Sequence, residues 1–145
     1  MKIELEPIAY IKSEFEGFDR KITRDSLSEI VLTDDFSEDA LYGIEQFSHL
    51  EIIWYFHLAF KPVKELVFPR GNSDLPQMGI FAVRGPHRPN HIATTIVRLI
   101  KKDKKTLTVY GLDAVDGTPV LDIKPVPIMF LPGEIVQQPD WVMKH

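Results

Sequence analysis

Short apolar runs, broken at intervals by proline and glycine, recur along the whole chain. That rhythm belongs to β-rich folds rather than helical ones. Ile8 to Lys12 and Ser28 to Leu32 read as strands. Ser37-Glu38-Asp39 opens a short helix through Ile44, with Ser37 as its cap and the two acids favouring its positive end. Leu50 to Phe60 is a long apolar strand, expected to be buried on both faces for much of its length, and Met78 to Val83 is another. The clearest local unit is a hairpin. Ala93, Thr95, Val97 and Leu99 share one face of a strand, Leu107 and Val109 supply the matching positions, and Lys101 to Lys105 is the turn between them. Asp116-Gly117-Thr118-Pro119 makes a tight turn, after which Val120, Asp122 and Lys124 fall on one face and Leu121 and Ile123 on the other. Ten or so short strands with one helix predict an all-β fold, a small closed or nearly closed barrel without exposed edges. The proline-rich tail after Pro125 is expected to lie over its surface.

Composition narrows the class. The 145 residues suit one domain spanning 1–145, large enough to bury a core without staples. Met1-Lys2-Ile3-Glu4-Leu5-Glu6 alternates like a strand and lacks the apolar core of a signal peptide. No window holds the roughly 18 unbroken apolar residues of a membrane span; even Leu50 to Phe60 is interrupted by Glu51 and His57. Without cysteine there is no disulfide framework, thiolate nucleophile or cysteine zinc site, and the expected compartment is the cytoplasm. A net charge of −4 argues against a general nucleic-acid binder held by phosphates alone. It leaves room for a local basic face built from Arg70, Arg84 and Arg88 or from the lysines of 101–105, the latter read first as a solvated turn.

Two segments carry candidate chemistry. Gly79 to Asn90 leads a β-run into a loop holding Arg84, His87, Arg88 and Asn90, stiffened by Pro86 and Pro89. Guanidinium groups fixed in direction suit carboxylate or phosphate ligands. The alternative is a rigid structural loop whose arginines pair with acids such as Asp113 or Asp122. The second segment, Gly111 to Pro125, sets Asp113, Asp116 and Asp122 around a turn, where one can act as general base or hold a ribose diol. Asp116 reads more readily as a turn residue, and Asp113, at a strand end, as functional. His49, His57, His87 and His91 are better read as structural than as a metal site, so no metal is expected. Ser48 precedes His49 but lacks a nucleophile elbow, and no dinucleotide or phosphate-loop glycine motif occurs.

Three ordered stretches resemble one family. Gly43-Ile44-Glu45-Gln46-Phe47-Ser48-His49-Leu50 followed by Phe56-His57 is similar to its "GLEGFSHLW…FH" segment, Gly79 to Asn90 to "GVFATRSPxRPN", and Gly111 to Lys124 to "GxDxxDGTPxLDIKP". These are the TrmO/TsaA-like proteins, S-adenosylmethionine-dependent N6-methyltransferases of threonylcarbamoyl-adenosine beside the tRNA anticodon. The resemblance implies a small β-barrel, usually homodimeric, with tRNA through its anticodon loop as possible partner. It implies S-adenosylmethionine lying among His57, Leu58, Arg84, Thr94, Tyr110, Gly111, Leu112 and Asp113. Arg84 then suits the cofactor's carboxylate, and Asp113 its ribose or sulfonium side. Asp113 or Asp116 would be the catalytic carboxylate, and Arg88, Asn90 and Lys124 would hold substrate. The sequence departs from the family in three places. Its early Pro-Arg-Gln element has no counterpart between Phe15 and Ser28, "RPNPIG" has become Arg88-Pro89-Asn90-His91-Ile92-Ala93, and the serine of "ATRS" is Gly85. The C-terminal domain of larger members is expected to be absent. Those departures keep two alternatives open: a non-catalytic S-adenosylmethionine-binding or sensor protein, and a methyltransferase of small molecules.

Overall fold

The computed structural model describes residues 1–16 and 24–143. Its strands are β1 (Ala9–Lys12), β2 (Leu27–Leu32), β3 (His49–Tyr55), β4 (Leu66–Val67), β5 (Met78–Gly79), β6 (Ile92–Asp103), β7 (Thr106–Tyr110) and β8 (Pro119–Pro125). Six of them close a barrel in the order β1-β2-β7-β6-β3-β8, every pair antiparallel, while β4 and β5 form a separate ribbon. The closed barrel that the punctuated pattern predicts is therefore present. Closure satisfies the edges that an open sheet would expose.

Alternation explains the core. Ile11, Ile30, Leu50, Ile52, Val97, Leu107, Val109 and Val120 point inward and are almost fully buried. Each contributes about 1.5–3 kcal/mol on burial. Leu112 and Ala114, from the segment after β7, join the same cluster and plug one end of the barrel. β1 meets β8 over only Ala9–Val120 and Tyr10–Pro119. The join is extended by backbone bonds from Ile8 to Val120, Ile11 to Thr118 and Gly117 to Ile11. Gly117 makes this possible, since its φ of +80° would strain any residue with a Cβ.

Several local expectations need correction. Described strands number eight rather than ten or so, because prolines and glycines between residues 60 and 92 impose 3₁₀ turns instead. Met78–Gly79 is all of the strand expected through Val83; Ile80–Ala82 turns away. The expected Ser37–Ile44 helix is a pair of 3₁₀ turns, Glu38–Leu41 and Ile44–Gln46, separated by Gly43 at φ +84°. Ser37 does cap the first, accepting from the Asp39 N–H at 3.3 Å. β3 stops at Tyr55, where the His57 N–H folds back onto the Tyr55 carbonyl, and only one of its faces is fully buried. β6 runs through Lys101 and Lys102 to Asp103, so the turn is only Lys104-Lys105, with Lys104 at φ +54°. β8 carries a bulge: Trp54 pairs with Val120 but Ile53 with Asp122. Val120 and Ile123 consequently both pack on the core, while Asp122 and Lys124 share the outer face without Val120. Among the described residues no helix is long and apolar enough to cross a membrane.

Candidate functional site

Register places the candidate segments at one end of the barrel. Tyr55, the last residue of β3, lies opposite Ile92, the first of β6, and Trp54 lies opposite Val120 near the start of β8. The segment after β7 crosses this end, reaching β6 through Asp113. Residues 56–58, 84–91 and 111–118 thus border one rim, and three hydrogen bonds tie them together. The Phe56 N–H donates to the His91 carbonyl at 2.8 Å, Arg84 donates from Nη2 to the Thr94 carbonyl at 2.7 Å, and the Thr95 hydroxyl donates to Asp113 Oδ1 at 3.0 Å.

The arginine loop is rigid by construction. Arg88 donates to the Val83 carbonyl at 2.7 Å across its base, and the His91 ring lies 3.1 Å from the Pro86 carbonyl. Neither arginine pairs with Asp113 or Asp122: Thr95 bonds Asp113, and Lys124 pairs with Asp122 at 2.9 Å. Arg84 and Asn90 are exposed and Arg88 half-buried. Asn90 and His91 both take positive φ, +62° and +50°. Proline cannot adopt φ +50°, so at His91, where "RPNPIG" has proline, this loop follows a path which that residue forbids. Left-handed backbone at non-glycine residues is uncommon and gathers at functional sites.

The remaining candidates separate. Half-buried Asp113 and Thr94 sit on the rim; Thr94 also donates from its hydroxyl to Glu51 at 2.8 Å. Gly111, at φ +100°, turns the chain in from β7, so that Leu112 is fully buried and only its backbone can face a ligand. Tyr110 is exposed, its hydroxyl 3.2 Å from Asp25, whose charge and hydrogen bond raise the phenol's pKa. Asp116 is used structurally. Its Oδ1 accepts the Ser13 N–H at 3.1 Å, and its own N–H donates to the Phe15 carbonyl. Lys124 lies on the outer wall opposite Glu51, which accepts from the Thr94 hydroxyl, and the hydrogen bond and charge of Asp122 raise its pKa. His57 and His87 both have lowered pKa values. Burial is the main cause in each, aided at His87 by the nearby charges of Lys61 and His91. Among the described residues no three His, Asp or Glu side chains gather as a metal site.

Sequence reasoning missed Trp54 and Thr95. The indole N–H of Trp54 donates at 3.1 Å to the Thr95 hydroxyl, which in turn holds Asp113. A hydroxyl alone on the inward face Ala93-Thr95-Val97-Leu99 was the available signal, because a buried hydroxyl requires partners.

The fold is a small closed antiparallel barrel, with the arginine loop and the segment carrying Asp113 both tied to β6 at one end. The chain belongs to the tRNA-methyltransferase O N-terminal domain family, whose family model matches residues 13–129. It is 35% identical over 133 residues to a probable S-adenosyl-L-methionine-binding protein of Methanothermobacter thermautotrophicus, covering 86% of this chain and 90% of that protein. It is 39% identical over 132 residues to the tRNA (adenine(37)-N6)-methyltransferase of Rattus norvegicus, covering 83% of this chain and 30% of that one. The crystal structure of TrmO from Pseudomonas aeruginosa superposes with a TM-score of 0.75 at 34% identity, over 94% of this chain and 61% of that one. The chain spans about a third of the length of several longer curated relatives.

Proposed function

We propose that the chain binds S-adenosylmethionine at this rim and transfers its methyl group to N6 of threonylcarbamoyl-adenosine beside the tRNA anticodon. The observation that carries the proposal is the convergence of the motif segments, joined by the bonds of Phe56 to His91, Arg84 to Thr94 and Thr95 to Asp113. The donor set fits such a cofactor. Its carboxylate calls for a guanidinium, its ribose for an acceptor, and its adenine for apolar surface. Arg84, Asp113, and Leu58 with Tyr110 meet these needs in turn, with His57, Thr94 and the backbone of Gly111 and Leu112 completing the rim. Bound S-adenosylmethionine supplies an already activated methyl group, so the protein's task is alignment, worth up to about 7–11 kcal/mol.

In this reading Arg88 and Asn90 hold the acceptor's threonyl carboxylate, whereas Lys124 pairs with Asp122. Asp113, bonded to Thr95, then serves the cofactor, whereas Asp116 accepts the Ser13 N–H. The proposal includes a homodimer in the cytoplasm. Ile128, Met129, Phe130, Ile135 and Val136 of the tail are largely exposed and offer apolar surface for a second copy. Labelled cofactor incubated with total tRNA, tRNA lacking the modification, and a metabolite extract tests the activity. Label should enter only modified tRNA; label in metabolites alone would replace the acceptor.

A second reading has its own support. The Methanothermobacter protein, which this chain spans almost entirely, carries the name of a binding protein rather than of an enzyme. Tight cofactor binding without turnover on any acceptor would establish that reading instead.

A further inference from the structure

Trp54, Thr95 and Asp113 come from β3, β6 and the segment after β7, yet they form one chain of hydrogen bonds of 3.1 and 3.0 Å. Chemistry dictates its direction. An indole N–H can only donate, so it occupies a lone pair of the Thr95 oxygen, and the single hydroxyl proton goes to the carboxylate. Trp54 and Thr95 are each 4% exposed, which shields the chain from exchange with water. Trp54 is itself fixed. Its ring meets Phe56 edge-on at 4.6 Å, and the Phe56 N–H is bonded to the arginine loop at His91. One indole therefore links the 111–113 segment to residues 56–58. A carboxylate accepts through both oxygens, and here Oδ1 is committed inward.

We infer that Thr95, itself held by Trp54, is a positioning residue that turns Asp113 so that its second oxygen accepts hydrogen bonds from the ribose hydroxyls of a bound nucleoside. The inference rests on the rim binding S-adenosylmethionine. It assigns Asp113 to holding the cofactor rather than to taking the acceptor's proton, and it makes two residues outside all the candidate positions part of the binding machinery. Thr95→Val keeps the shape and removes the hydroxyl; Thr95→Ser keeps the hydroxyl; Trp54→Phe removes only the distal donor and some ring.

The test is calorimetric titration of the full chain and these variants with S-adenosylhomocysteine and with its 2′,3′-dideoxy analogue. Thr95→Val should weaken S-adenosylhomocysteine about tenfold, Trp54→Phe by less, and Thr95→Ser should bind within about threefold of wild type. The dideoxy analogue should bind wild type and Thr95→Val equally, a coupling that a merely structural hydroxyl would not produce. If Thr95→Val does not fold, as judged by circular dichroism, Trp54→Phe carries the same comparison. Equal losses for both ligands, or unchanged affinity for S-adenosylhomocysteine, overturn the positioning role. Asp113→Asn separates the two levels. A weakened Asp113→Asn beside an unaffected Thr95→Val removes only Thr95, whereas no binding by wild type removes the cofactor reading itself.

Discussion

Asp113 and Asp116 are three positions apart and are held by different partners. Asp113 is half-buried on the rim and bonded by a buried hydroxyl, whereas Asp116 is exposed and accepts the Ser13 N–H, pinning the turn to the end of β1. Asp113→Asn should therefore impair cofactor affinity and turnover with little change in stability. Asp116→Ala should lower stability by about 0.5–1.5 kcal/mol, the net worth of one hydrogen bond, and leave affinity intact. Urea unfolding and calorimetry on both variants check this; loss of affinity in Asp116→Ala alone would reverse the two roles. At this scale the sequence was partly legible. An Asp-Gly pair announces a turn, and Asp116 could be read as its servant. The pairing of Lys124 with Asp122 was readable, since alternation already puts the two on one face; the β8 bulge, which no local pattern marks, moves only Val120 off it.

The arginine loop shows how an element sets the charge of its own residues. Nδ1 of His87 is buried without a hydrogen-bond partner among the described residues, and burial, with Lys61 and His91 nearby, holds the ring's pKa below its ordinary value of 6.5. His57 is shifted the same way by burial. The linkage has one sign. As pH falls through 6.5 the unfolded chain takes up protons that the folded loop refuses, so stability drops and levels off only below the folded pKa values. The melting temperature should fall between about pH 7 and 5.5, before carboxylates titrate, and the fall should be shallower in His87→Gln. An unchanged pH profile in that variant would exclude His87 as a contributor. The pattern of strands and turns around this loop was legible because alternation and Pro/Gly punctuation are local. Where Leu50 to Phe60 and Met78 to Val83 would end was not: the His57 N–H folding back onto Tyr55 ends the first, and a bond from Ile80 to distant Glu65 accompanies the end of the second.

The whole barrel decides which of the basic residues can act together. The 12-residue β6 starts at the rim with Ile92 and ends at the Lys104-Lys105 turn, so the lysines stand about 30–35 Å from Arg84 and Arg88 along the strand. Lys102 and Lys105 are also paired, with Glu45 and Asp34 at 3.7 Å each. Arg70 lies against the tail, donating to the carbonyls of Trp141 and Val142. The basic face that the sequence suggests is therefore split, and an anticodon loop seated on the rim meets chiefly Arg84, Arg88 and the nearby Lys61. Each neutralised phosphate adds just under one unit of slope in log affinity against log salt, which gives about −2 to −3 for this rim. On the proposed function, so shallow a dependence would leave the modified base, splayed onto the rim, as the main source of discrimination. Charge reversal at the far hairpin, Lys104→Glu, should leave the slope unchanged, and Arg88→Gln should reduce it by about one unit. Salt titrations with anticodon stem-loops carrying or lacking the threonylcarbamoyl group measure both quantities. Equal affinity for the two stem-loops, with no methyl transfer to either, would take tRNA out of the function and leave a cofactor-binding barrel whose acceptor is a small molecule or nothing at all.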